Sequence, residues 1–380
     1  MTEGPGRNTA SADSAAWRVL RPFLSRFIAA VTVLGLATGA LAGPVGERHL
    51  KTADSTAALR DSQGRDQVRV TVWYPATTDA VEERIDLGPP GRPLFAVGAV
   101  APAAAFAQGG PWPVVLFSHG FGGAARMMGW FGTALARAGY VVVAVDHPGN
   151  NAMDKMTLAG AVLPWDRVED LRAALAAVKA DPAIAPHLDL DRIGVAGFSA
   201  GGFTALVSVG ARVNVTRLLA FCRQNPTDGV CAPQKEFAFS QEDAQRALAA
   251  PPLAAEVAHA ADDHRIPGIR AAFVIAPAII QALPPESLAR ITAPVAIVLG
   301  DADPVAPPAT NGLVAARAIP NAQLRVLPAV GHYDFLSTCT PAGVAVVPLC
   351  VMKAPQDPTH QAAIDMAVAF FNRTLAKRGA

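Results

Sequence analysis

Arg192-Ile193-Gly194-Val195-Ala196-Gly197-Phe198-Ser199-Ala200-Gly201-Gly202 is the stretch on which the fold turns. An apolar run of strand type leads into the pattern G-x-S-x-G, and Phe203-Thr204-Ala205-Leu206-Val207 follows as a helix. In this pattern a serine rides a sharp turn between a buried strand and a helix, in strained backbone geometry. Only very small neighbours let the two elements close around it. Gly197, Ala200, Gly201 and Gly202 supply that lack of bulk. A purely structural glycine-rich turn is the alternative, but the strand before and the helix after favour Ser199 as a nucleophile.

Outward from this turn, strands alternate with helices. Pro113–Phe117, Tyr140–Val145, Ala271–Ile275 and Pro294–Leu299 are continuous apolar runs, as expected of parallel strands covered on both faces. Gln323–Leu327 closes the series, and Val68–Tyr74 alternates like a half-buried edge strand. Val168, Leu171, Leu175 and Val178 share one helical face, and Ile364, Val368, Phe371 and Leu375 another. The alternation predicts an α/β fold, a mostly parallel central sheet with helices on both faces. The stretch from about 213 to 267 breaks the rhythm: it has prolines, two cysteines and a helical patch over Gln241–Leu248, but no buried strand. An insertion there sits above the strand C-termini, either as a lid over the site or as a peripheral elaboration.

The 380 residues, 51% of them hydrophobic, suffice for one large domain, expected over 43–380. A net charge of +1 without a Lys/Arg-rich block does not suggest a nucleic-acid or polyanion partner, and no nucleic acid is expected. Arg18, Arg21 and Arg26 precede an apolar run from Phe27 to Ala42 that ends Ala40-Leu41-Ala42. This pattern reads as a signal peptide over 1–42, hence a periplasmic or secreted protein. The run falls short of the ~20 apolar residues of a span, so no stable membrane span follows cleavage. Four cysteines fit export, and proximity favours Cys222–Cys231 and Cys339–Cys350 over free thiols. No C-x-x-C spacing suggests zinc or redox chemistry. Nothing in the sequence decides the oligomeric state.

A serine hydroxyl needs a base, and an imidazole base needs a carboxylate to hold its tautomer. On open sheets with such a turn the chain order is Ser, acid, His. Of His259, His264, His332 and His360, only His332 follows a late strand directly, in Ala329-Val330-Gly331-His332-Tyr333. Gly300-Asp301-Ala302-Asp303-Pro304 offers two acids. Asp303, deeper in the loop, is favoured, and Asp301 is the candidate turn residue bonding nearby amides. The oxyanion requires fixed donors: the amide of Ala200 and, from the loop Ser118-His119-Gly120-Phe121-Gly122-Gly123, that of Phe121. His119 is read as a brace for this loop. Phe121, Met127, Met128 and Trp130 are candidates for an apolar acyl pocket, although helix-core packing is expected for at least half of them. Asn150 and Asn151 are candidates to reach the cleft.

Together Val72-Trp73-Tyr74-Pro75, Phe117-Ser118-His119-Gly120-Phe121-Gly122-Gly123, Val145-Asp146-His147-Pro148-Gly149, Gly197-Phe198-Ser199-Ala200-Gly201-Gly202 and Gly331-His332-Tyr333-Asp334-Phe335 carry a resemblance. The chain resembles the α/β-hydrolase superfamily over about 68–336. Within it the chain is similar to secreted bacterial members of dienelactone-hydrolase-like or platelet-activating factor acetylhydrolase-like type. Ser199 stands where dienelactone hydrolases carry a cysteine. The resemblance implies Ser199, Asp303 and His332 as the triad, Phe121 and Ala200 as oxyanion hole, no metal and no cofactor. It implies a serine esterase acting on small-molecule or lipid esters, and Asp146-His147-Pro148-Gly149 as a structural turn. A polyester or cutin hydrolase and an acyltransferase would use the same residues. A periplasmic binding module on this fold would lack a triad member, and none is lacking.

Overall fold

The computed structural model describes Met1 and residues 43–377; the expected leader over 1–42 falls almost wholly outside the described residues. Eleven strands are present among them: β1 (Val45–Ala53), β2 (Gln67–Pro75), β3 (Glu83–Leu87), β4 (Phe95–Pro102), β5 (Trp112–Ser118), β6 (Val141–Asp146), β7 (Leu188–Phe198), β8 (Ile269–Ile275), β9 (Val295–Gly300), β10 (Gln323–Leu327) and β11 (Thr338–Cys339). They form one sheet in the order β10-β9-β8-β7-β5-β6-β2-β1-β4-β11, with β3 paired to β4. The six strands from β10 to β6 are mutually parallel. The α/β architecture expected from the apolar runs is thus the observed one.

Alternation within those runs divides the core. Val114 and Leu116 of β5 face one layer with Val143, Val195 and Val274. There they meet Val168, Leu171 and Val178 of the helix Arg167–Ala180 and Phe203 and Leu206 of the helix Ala200–Ser208. Val115 and Phe117 face the other layer, against Phe131 and Leu135 of the helix Gly129–Arg137 and Phe370 and Phe371 of the helix Gln356–Thr374. Each fully covered aliphatic or aromatic side chain contributes about 1.5–3 kcal/mol of burial, so this double layer fixes the sheet.

Two expectations need correction. β2 is not an edge strand: β1 pairs with it antiparallel from Val45↔Pro75 to Ala53↔Gln67, and β6 flanks its other side. Its apparent alternation arises because Thr71 sits among larger apolar residues, and both faces are covered. β1 itself, Val-Gly-Glu-Arg-His-Leu-Lys-Thr-Ala, lacks an apolar run and gave no strand signal. Its Glu47 is buried as the acceptor of Trp73 Nε1–H at 2.8 Å. The last helix is rotated relative to the predicted face. Ala363, Ala367, Phe370 and Phe371 are buried, whereas Ile364 and Val368 are only half-buried.

Cys222 and Cys231, and Cys339 and Cys350, are disulfide-bonded. Residues 213–267 contain the helices Val215–Gln224, Gln241–Ala249 and Leu253–His259 and no strand. No helix among the described residues is long and apolar enough to cross a membrane.

Candidate active site

Ser199 stands directly after β7 with φ 55° and ψ −120°. This backbone state is costly for a residue with a Cβ, and surrounding bonds hold it there. Its amide donates to Ile275 O at 2.9 Å, and its carbonyl accepts from Gly202 N and Ala278 N. The glycines are needed for close approach. A Cβ on Gly197 would lie 2.0 Å from Gly201 O, and one on Gly201 would lie 1.8 Å from Ser118 O. No side chain fits at either position.

His332 and Asp303 arrive on separate loops. His332 Nε2 lies 2.8 Å from Ser199 Oγ, and His332 Nδ1 lies 2.6 Å from Asp303 Oδ2. All three side chains are buried. Asp303 Oδ1 accepts from the amides of Val305 and Ala306, both at 2.8 Å, which orients the carboxylate. With an acceptor-only carboxylate at Nδ1, that nitrogen carries the proton and Nε2 is free to accept from the serine. Asp301 plays the turn role: its Oδ1 accepts Ala329 N at 2.6 Å, and the residue is exposed.

The loop bearing His332 is anchored by Asp334, a residue the sequence did not single out. Its buried carboxylate accepts from the amides of Gly331, Lys353 and Ala354 at 2.7–2.9 Å. One turn-forming acid three residues after a glycine is too common a pattern to reveal such a role.

The loop after β5 brings its backbone beside the serine: a Cβ on Gly120 would lie 3.2 Å from Ser199 Cβ. The amides of Phe121 and Ala200 donate to no described residue. His119 braces the loop as expected. Its Nδ1 faces Gly120 O at 2.6 Å, and its Nε2 accepts from His147 N at 3.2 Å. Asn150 and Asn151 do not reach the cleft. Asn150 instead accepts from Gly122 N at 2.8 Å and donates to Gly160 O, while Asn151 donates to His147 O. Short amide side chains within a turn find backbone partners before they can span to a cavity.

A second Ser-His-Asp string lies underneath. Ser118 Oγ is 2.8 Å from His147 Nε2, and His147 Nδ1 is 2.7 Å from Asp170 Oδ2. Arg60 completes it with two bonds to Asp170 at 2.8 and 2.9 Å, and Arg167 donates to His119 O. Ser118, His147 and Asp170 are all 0% exposed, so no substrate reaches them. Burial holds the His147 and His119 imidazoles well below the ordinary histidine range, keeping both neutral at pH 7. The string fixes the start of the Phe121 loop. Ser118→Ala should therefore destabilise the protein by about 1–3 kcal/mol, through the unpaired His147 nitrogen. Denaturant unfolding checks this, and an unchanged midpoint would count against the bracing role.

Two cavities meet at Ser199. One, of about 160 Å³, adjoins Ser199, Ala200 and Phe121, and its walls include Leu218, Phe239 and Leu248 of the 213–267 segment. The other adjoins Ser199, Phe121, His332, Tyr333 and Glu236. Of the four residues considered for an acyl pocket, Phe121 lines both cavities, and Met127 and Met128 line the second. Trp130 faces away, stacked on His360 at 3.9 Å. Among the described residues no group of three or more His, Cys, Asp or Glu is spaced to hold a metal ion.

No curated protein matches the chain. Among solved structures it is similar to a ferulic acid esterase from Streptomyces cinnamoneus, at 20% identity and a TM-score of 0.57, covering 89% of this chain and 92% of that one. At that identity the likeness speaks for the fold. Residues 114–347, which span the strands β5 to β11 together with the serine turn and both partner loops, match the Alpha/beta hydrolase family, and the chain belongs to it.

Proposed function

We propose that the protein is an exported serine hydrolase of carboxylic esters, with Ser199 as nucleophile, His332 as general base and acid, and Asp303 as its orienting carboxylate. The observation that carries this reading is the hydrogen-bonded chain from Asp303 through His332 to a strained Ser199 at the floor of an apolar cavity. Ser199 Oγ attacks the carbonyl carbon as its proton passes to His332 Nε2. The Phe121 and Ala200 amides receive the oxyanion, each donor worth about 3–4 kcal/mol in the transition state. His332 then returns the proton to the departing alcohol, leaving an acyl-enzyme. Water attacks this acyl group, giving its proton to His332, which passes it to Ser199 Oγ as the acyl–oxygen bond breaks and the free acid departs.

The need for His332 to reach the leaving oxygen assigns the cavities. The alcohol occupies the one lined by His332, and the acyl group occupies the other, beside Ala200. At about 160 Å³ the acyl cavity is comparable to the ~150 Å³ apolar cavity that takes up benzene. This supports a short or medium apolar acyl group. The 213–267 segment acts as the cap that shapes the pocket. The paired cysteines support an oxidising compartment, and the motif likeness to platelet-activating factor acetylhydrolase-like proteins supports small or lipid-like esters.

An organophosphonate probe should label Ser199, read by mass spectrometry of the modified peptide. Nitrophenyl esters of graded acyl length should give a kcat/KM maximum at short to medium chains. Absence of labelling together with absence of turnover across the panel would overturn the proposal.

A further inference from the structure

The cavity assigned to the leaving alcohol is mostly apolar, with Met127, Met128, Leu336 and Leu349 among its walls. Glu236 breaks that character. It comes from the cap segment and reaches the loop of the oxyanion donors so closely that a Cβ on Gly122 would lie 2.7 Å from Glu236 Cβ. Gly122 has φ +60°, so the loop is built of the one residue that admits this approach.

The carboxylate forms no salt bridge among the described residues, although Lys235 and His332 lie near enough to favour its charge. Its Oε2 is buried without a hydrogen-bond partner among the described residues. Lys235 next to it directs Nζ to Pro348 O at 3.3 Å and over the Tyr333 ring at 5.4 Å. The other titratable groups facing it are His332 and Tyr333. Burial pushes the Glu236 carboxyl above its ordinary value. The segment leading to it is pinned in advance, by the Cys222–Cys231 bond and by Gln234, which donates to Gly229 O and Ala232 O at 2.8 and 2.7 Å. The Tyr333 hydroxyl is the carboxylate's protein hydrogen-bond neighbour, and Oε2 remains a buried acceptor without a donor, which is costly unless a ligand brings one.

We propose that Glu236 selects esters whose leaving alcohol carries a further hydroxyl, that is, esters of polyols. This rests on the ester-hydrolase reading above. An alkyl alcohol entering the cavity leaves Oε2 unpaired, whereas a polyol gives it an O–H donor. Sites built to bond a substrate hydroxyl discriminate against the analogue lacking it far better than apolar pockets discriminate by size.

The test holds the acyl group at butyryl and compares propyl, 2,3-dihydroxypropyl and choline esters on wild type, Glu236→Leu and Glu236→Gln. Wild type should prefer the dihydroxypropyl to the propyl ester in kcat/KM, and Glu236→Leu should lower that ratio by about 10–100-fold. Glu236→Gln, which keeps an acceptor, should retain part of the preference, and it carries the test if the leucine variant does not fold. A wild-type ratio near one, or a ratio unmoved by both substitutions, would overturn the proposal. A Glu236 dependence confined to the choline ester, which has charge but no donor, would overturn it in favour of cation attraction. Failure of wild type on all three esters would instead reject the hydrolase reading itself.

Discussion

Ser199→Ala should lower kcat by about 10⁴–10⁶-fold on any ester the enzyme accepts, with the fold unchanged. The substitution removes one oxygen and no packing atom, and alanine meets the same backbone demand at φ 55° as serine does. The bonds from Ile275, Gly202 and Ala278 that hold the turn involve only main-chain atoms and persist. Residual turnover would reflect the amides of Phe121 and Ala200 and binding alone. Steady-state kinetics with circular dichroism as a folding control decides it. A variant that keeps wild-type kcat would remove Ser199 from the mechanism.

Asp303→Asn should cost about 10⁴ in kcat, and Asp301→Asn only a small factor. The argument is one of tautomers. Oδ1 of Asp303 accepts two backbone amides, so the carbonyl oxygen of an asparagine must occupy that side. Its NH₂ then faces His332 Nδ1, where Asp303 Oδ2 now lies at 2.6 Å. His332 can satisfy that donor only with Nδ1 bare and the proton on Nε2, a state unable to take the serine proton. Asp301 accepts a single amide, from Ala329, and an asparagine oxygen does the same. Kinetics of the two variants side by side checks this. Equal, small losses would show that neither acid orients the imidazole.

The parts of the molecule legible in the sequence are those governed by local rules. The parallel strands announce themselves because burial on both faces demands unbroken apolar runs, as in Val141–Val145. Ser199 is legible because only glycine fits at 197 and 201. His332 and Asp303 are legible because chain order and strand ends leave few candidates. What stayed hidden depends on partners distant in the chain. β1 is a strand because β2 lies beside it, and its Glu47 is tolerated inside because Trp73 and Arg126 meet it. The turn residues Asn150 and Asn151 gave no sign that backbone groups of their own neighbourhood would claim them. The cavity beside Ala200 escaped notice because much of its wall comes from the 213–267 segment, whose helices are amphipathic but give no local sign of which element their apolar faces meet. Ser118 and His147 together read as motif residues, yet nothing local tells that their string is sealed beneath the loop it supports.

The junction of two chambers at Ser199 ties two selectivities together. On the proposed mechanism, the chamber vacated by the first alcohol would be the space through which the acyl-enzyme meets its second reactant, water or another alcohol. By microscopic reversibility, the wall that recognises the departing group also recognises an incoming acceptor. The partition between hydrolysis and transfer would then be set by the same few side chains, Glu236 among them, that sort the substrates.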